Sequence, residues 1–120
     1  VNDTYGHQAG DEVLRGFGQA LQECSRTEDI VCRYGGEEFL LVLPKMPLSI
    51  GRERAAQLLE LFRRTTVPFD NFRIPVTTSI GISATPDHST TAEGLIRCAD
   101  QALYHAKSRG RNRVVAFGEA

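Results

Sequence analysis

RYGGEEFLLVL, residues 33–43, is the stretch whose reading decides the fold. Two apolar-rich runs, Ile30–Tyr34 and Phe39–Leu43, flank Gly35 and Gly36. Gly-Gly between strand-like runs predicts a two-residue hairpin, because that turn uses backbone angles only glycine reaches cheaply. Two carboxylates, Glu37 and Glu38, follow directly. Adjacent strand residues point to opposite faces, so the two glutamates are expected to do different jobs. Bare glycine backbone beside acidic oxygens suits a nucleotide phosphate with divalent cations. An ordinary hairpin with solvated charges accounts for the same residues.

The 120 residues suffice for one compact domain, and 41% hydrophobic with 24% charged residues is an ordinary globular composition. A net charge of -1 argues against general nucleic-acid binding or a membrane surface, so no nucleic acid polymer is expected as a partner. No apolar run approaches a membrane span and no signal-peptide pattern opens the chain. Cys24, Cys32 and Cys98 lack zinc-like spacing and are odd in number, which reads as buried or semi-buried thiols in a reducing cytosol. The expected location is cytoplasmic, with any membrane anchor carried by upstream segments. The first residue is Val rather than Met, which suggests a piece of something longer.

Outward from the hairpin, Val1–Gly10 reads as a loop, and Asp11 is placed to cap a first helix. Val13, Leu14, Phe17, Leu21 and Cys24 make its apolar face. Gly16 and Gly18 each cost that helix about 1 kcal/mol relative to Ala, unless they permit close packing. Pro44 and Pro47 end the second hairpin strand. Ser49 is placed to cap a second helix that buries Ala55, Leu58, Leu59 and Phe62 and stops near Thr65 and Pro68. Phe72, Ile74, Val76, Thr78, Ile80 and Ile82 share one parity, giving one long strand or two with a bend near Pro75. Thr91 precedes a third helix with Leu95, Ile96, Ala99, Leu103 and Ala106 inward, and Gly110 is its natural stop. Val114–Phe117 closes the chain as a strand. The order is helix, strand, strand, helix, strand, helix, strand. Such an α/β (α+β) chain lacks the first, central strand of a split βαβ fold, so its remaining strands are not expected to form one continuous ladder.

Three further groups carry candidate chemistry. Asn2 and Asp11 can together read a guanine edge, the carboxylate accepting from N–H groups, although a turn asparagine and a helix cap are the commoner reading of such residues. Lys107 and Arg111 lie four apart at the end of the third helix and can reach phosphate oxygens, Lys as a point charge and Arg as a fork. Complementing the helix dipole is their alternative role. Arg26 and Asp29, spaced R-x-x-D, can offer a fork and a carboxylate to one guanine-containing ligand, or be simple surface charges. His7, His88 and His105 form no metal grouping. Ser79 lacks the glycines of a hydrolase elbow, and Tyr104 reads as helix packing.

Four separated stretches make the chain resemble one family: VNDTYGHQAGDEVL (1–14), RYGGEEF (33–39), SIGIS (79–83) and CADQALYHAKSRGRNRV (98–114). They resemble the catalytic domain of the GGDEF-family diguanylate cyclases, with the namesake motif in its GGEEF form. The resemblance implies a central, mostly antiparallel sheet flanked by helices, nucleotidyl-cyclase-like or ferredoxin-like, with residues 1–120 forming a single domain. It implies condensation of two GTP molecules into cyclic di-GMP at a site formed between two antiparallel subunits, hence a homodimer. Glu37 would hold the catalytic Mg²⁺ or Mn²⁺, and Glu38 would support catalysis beside it. Gly35 and Gly36 would admit the α-phosphate and sugar, Asn2 and Asp11 would read guanine, and Lys107 and Arg111 would hold the terminal phosphates. Arg26 and Asp29 match the family's site for inhibition by its product, where Gln57 stands in place of a further arginine.

The family pattern continues upstream of Val1 with a second metal-binding aspartate and more phosphate contacts. These 120 residues alone are therefore expected to bind GTP and metal poorly and to turn over negligibly. The resemblance also implies an N-terminal regulatory domain. A domain that senses GTP or cyclic di-GMP without making it is the alternative, and the complete GGEEF motif favours the enzyme.

Overall fold

A computed structural model describes residues 7–35, 38–64, 66–69, 72–75 and 77–119, with backbone alone at 7–13, 67–69, 72, 74 and 75. The elements are α1 (His7–Glu23), β1 (Ile30–Arg33), β2 (Phe39–Val42), α2 (Leu48–Arg63), β3 (Thr66–Phe69), β4 (Phe72–Pro75), β5 (Ile80–Ile82), α3 (Ala92–Ser108) and β6 (Val114–Ala116). They fall into two units: residues 1–45 with 66–76, and residues 46–65 with 77–120. The described strands pair as three two-stranded sheets, two antiparallel and one parallel, so the expected break in the ladder is present among them.

In the first unit α1 packs against β1 and β3. It buries Leu21 and half-buries Leu14 and Phe17, the predicted face. Gly18 lies over β2, where an added Cβ would stand 3.5 Å from the Phe39 ring. That is ordinary contact, so close approach exists here without demanding glycine. The start of the helix differs from expectation. It begins at His7, which puts Asp11 inside the helix rather than at its cap. Gln8 and Ala9 are good helix formers and extend it upstream.

β1 and β2 form the predicted antiparallel hairpin, from Ile30 opposite Val42 to Arg33 opposite Phe39. Its closure corrects the two-residue turn. The Tyr34 and Gly35 amides both donate to the Glu38 carbonyl, at 2.8 and 3.2 Å. A Gly35–Gly36 turn would instead have paired Tyr34 with Glu37. Gly35 also has no positive φ, so its backbone angle does not require glycine. Alternation along β1 puts Val31 on the face of Phe39 and leaves Ile30, Cys32 and Tyr34 on the other. Cys32, expected to be buried or semi-buried, is exposed for that reason.

β3 was not expected, because Pro68 read as a stop. It pairs with β4, Phe69 opposite Phe72 and Pro68 opposite Arg73. Each strand of a two-stranded ribbon has a free edge, where a missing N–H is tolerated. The alternating run from Phe72 is accordingly two strands, β4 ending at Pro75 and β5 pairing with β6 in another sheet.

The second unit is a β5–α3–β6 crossover with α2 packed on the same two strands. Ala102, Ala106, Val115 and Phe117 form its core cluster, and α2 buries Ala55, Leu59 and Phe62. Leu58, placed with them by spacing, is half-buried. Pro47 rather than Ser49 holds the α2 cap position, with no side-chain cap bond. Thr91, which precedes α3, also caps it, its hydroxyl accepting from the Gly94 amide at 3.0 Å. The α3 terminus is a Schellman motif: Arg111 N–H donates to Ala106 O at 2.9 Å and Gly110 N–H to Lys107 O at 3.4 Å, with Gly110 at φ 113°.

Candidate functional site

At the hairpin end, Glu38 folds its side chain over Gly35. A Cβ placed on Gly35 would meet the Glu38 Cβ at 3.6 Å and its carboxylate at 3.8 Å. A half-buried carboxylate therefore stands against open glycine backbone, the juxtaposition suggested by RYGGEEF. Gly36, Glu37 and Asn2 lie outside the described residues. Asp11 is placed by its backbone alone, within α1.

The turn before β1 is a built polar structure. The Asp29 carboxylate, with its side chain wholly buried, accepts from the Arg26 amide at 2.9 Å, from Nε at 3.0 Å and from Nη2 at 2.7 Å. Arg26 Nη2 also donates to the Pro44 carbonyl at 2.9 Å, and Nη1 lies 3.6 Å from Glu28. Arg26 and Asp29 are thus brought together, and more tightly than a surface pair. The hydrogen bond to Asp29 holds the Arg26 guanidinium above its usual range, with partial desolvation opposing and the charges of Asp29 and Glu28 assisting. Its charge is present at every ordinary pH, so the pair does not titrate from the arginine side.

Lys107 and Arg111 belong to the second unit. Lys107 is half-buried in the last turn of α3. Arg111 is exposed, with backbone in the left-handed region at φ 64°, and Asn112 follows at φ 51°. The Schellman turn and these two residues redirect the chain after α3, as Gly110 suggested. Tyr104 corrects another expectation: it is 68% exposed rather than packed, because Ala102 and Ala106 occupy the buried side of α3.

Two contributors escaped the sequence. Gly81 of SIGIS is the contact between β5 and α3. A Cβ there would overlap the Leu103 amide nitrogen and the Ala99 carbonyl oxygen. Arg63 reaches across 49 residues of chain to bind Asn112. Neither has a local signal beyond a glycine in a strand pattern, which marks close backbone approach. Among the described residues no group of three or more His, Cys, Asp and Glu side chains could hold a metal ion. Among them, too, no helix is long and apolar enough to cross a membrane.

Residues 1–113 match the family model described as diguanylate cyclase, GGDEF domain. The chain belongs to the GGDEF family. It is 39% identical over 114 residues to Diguanylate cyclase A of Treponema denticola, spanning 95% of this chain and 31% of that protein. The solved GGDEF domain of YfiN (TpbB) from Pseudomonas aeruginosa matches with a TM-score of 0.90 at 30% identity, over 99% of this chain and 74% of that one. The GGDEF domain of DgcB from Caulobacter crescentus, solved in complex with c-di-GMP, matches at 0.83 and 27% identity, over 98% and 70% of the two chains. The α+β arrangement of three helices and short sheets is that of these GGDEF domains.

Proposed function

We propose that this GGDEF domain is a diguanylate cyclase that joins two GTP molecules into cyclic di-GMP. The observation that carries the reading is the GGEEF motif at the end of a real hairpin, with Glu38 set against Gly35, in a chain of this family. The family model runs through both structural units, which supports taking them as one domain.

In each half-reaction a ribose 3′-oxygen bonds to the α-phosphorus of the facing GTP. The α–β phosphoanhydride bond breaks, pyrophosphate leaves, and the hydroxyl proton is released. Two subunits present their nucleotides to one another, so a homodimer is the working form. Asn2 and Asp11 read guanine. Gly35 and Gly36 let the α-phosphate and sugar approach the backbone. Lys107 and Arg111 hold the terminal phosphates, whose repulsion between the two nucleotides the protein must offset. Glu38 supports the reacting end. Hard carboxylate oxygens fit a hard divalent cation, and Glu37 would hold Mg²⁺ or Mn²⁺ there. When bound, the ion supplies charge stabilisation at the developing alkoxide and the phosphoryl oxygens.

Gly35→Ala separates structure from ligand approach. The new methyl fits beside Glu38, and Gly35 needs no special φ. The stability change is expected within about 0.5 kcal/mol by chemical denaturation. Synthesis falls at least about tenfold, because the methyl occupies the space of the incoming phosphate. Unchanged synthesis would contradict the role given to Gly35.

Arg26 and Asp29 form a site for the product. Arg26→Ala is expected to weaken cyclic di-GMP binding by calorimetry at least about tenfold, the effect of losing a charged fork. Initial rates stay near the parent value while progress curves lose their late slowing. Inhibition that persists unchanged removes this assignment. A domain that only senses nucleotide retains the Arg26–Asp29 turn but leaves the GGEEF hairpin without a task. The discriminating experiment is incubation of the full-length protein with GTP and Mg²⁺, followed by chromatography for cyclic di-GMP.

A further inference from the structure

Arg111 combines an exposed guanidinium with a constrained backbone. Its own φ of 64° and the 51° of Asn112 are both left-handed, a region disfavoured for side chains other than Asn, Asp and Gly. Such a conformation persists only when its surroundings over-determine it. Here they do so on both sides. The Arg111 N–H is held by Ala106 O at 2.9 Å, and its carbonyl accepts from Arg113 Nε at 3.1 Å. The Asn112 N–H donates to Ser79 Oγ at 3.2 Å. Among the described residues the Arg111 guanidinium itself makes no hydrogen bond or ion pair.

A further part of this clamp comes from α2. Arg63 Nε donates to Asn112 Oδ1 at 3.0 Å, and Nη2 donates to the Asn112 carbonyl at 3.1 Å. The remaining nitrogen, Nη1, is paired with Glu60 Oε1 at 2.6 Å, one turn back on the same helix. The guanidinium is therefore fixed on its own helix and spends its other donors on one residue. Lysine could not do this, since it has no planar fork.

We infer that Arg63, locked by Glu60, is a positioning residue that fixes Asn112 and thereby aims Arg111 at the terminal phosphates of GTP. The inference rests on the proposed role of Lys107 and Arg111. Loss of Arg63 frees the turn after α3 without touching the nucleotide. The Arg111 fork then samples several directions, and the ordering it needs is taken from the binding energy.

The test uses the full-length protein and two ligands, measured by calorimetry with Mg²⁺. One is a GTP analogue with a methylene bridge between the α- and β-phosphorus, which cannot release pyrophosphate. The other is GMP, which lacks the phosphates in question. Arg63→Ala and Arg63→Lys are expected to weaken the analogue at least about tenfold, the loss of about one charge-assisted contact, and to leave GMP within about twofold. Arg111→Ala should do the same, and adding Arg63→Ala to it should cost little more, because the two act through one contact. Asn112→Gly keeps the left-handed backbone but removes one acceptor. It serves if Arg63→Ala unfolds, and predicts a smaller loss confined to the analogue. Equal loss of both ligands, no loss, or multiplying losses in the double variant overturns the inference. If the parent protein binds the analogue no better than GMP, the phosphate role of Lys107 and Arg111 falls first, and the inference falls with it.

Discussion

If the proposed reaction and product site are right, Glu37→Ala is expected to abolish cyclic di-GMP synthesis by the full-length protein and to leave product binding at Arg26 and Asp29 intact. Removing a group that stabilises charge developing in a transition state costs on the order of 10² to 10³ in rate, and a lost metal ligand costs at least as much. Glu37→Gln keeps the size and removes only the charge, so it should fall with the alanine variant. Product binding is spared for a structural reason. Asp29 is satisfied by three bonds from Arg26, and Arg26 is held further by Pro44 and Glu28. None of those partners is in the GGEEF turn. Synthesis that survives Glu37→Ala, or product binding lost together with synthesis, contradicts the separation of the two sites.

Gly81→Ala is the substitution expected to damage the fold most. The added methyl would overlap main-chain atoms of Ala99 and Leu103 and stand 2.8 Å from the Leu103 Cα. No side chain can rotate away to admit it, so α3 must move off β5. That would disturb the contacts that bury Ala102 and Ala106, at 1% and 0% exposure. Overpacking costs up to about 3 kcal/mol where side chains can adjust, and this site lies at or beyond that figure. For a unit of this size the melting temperature should drop on the order of 15 °C. A drop of less than about 3 °C would mean that β5 and α3 separate easily, against the packing described here.

Much of this was legible because it is local. Among the described side chains the inward faces of the helices largely follow apolar spacing, with Ala102 of α3 buried outside the expected set, and Gly110 marks the end of α3 by cap chemistry. The R-x-x-D spacing singled out a guanidinium and a carboxylate for a ligand or as surface charges, and the structure bonds them to each other with Asp29 buried. The errors share a physical cause, which is that environment outweighed a residue's usual habit. Pro68, read as a stop for α2, also sits within β3, paired with Arg73 in a two-stranded ribbon. Asp11 and Ser49 are good cap residues inside longer helices. Tyr104 is apolar enough for a core, yet alanines already fill it. Arg63 was unreadable because its partner is remote in sequence and the need for it arises only from the backbone at Arg111 and Asn112.

The proposed reaction is tested by the products formed when the full-length protein is incubated with GTP and Mg²⁺, resolved by chromatography. Cyclic di-GMP accompanied by pyrophosphate, in the ratio of one to two, is the predicted result. GTP that is bound but recovered unchanged would contradict the account and leave a nucleotide-sensing domain in its place.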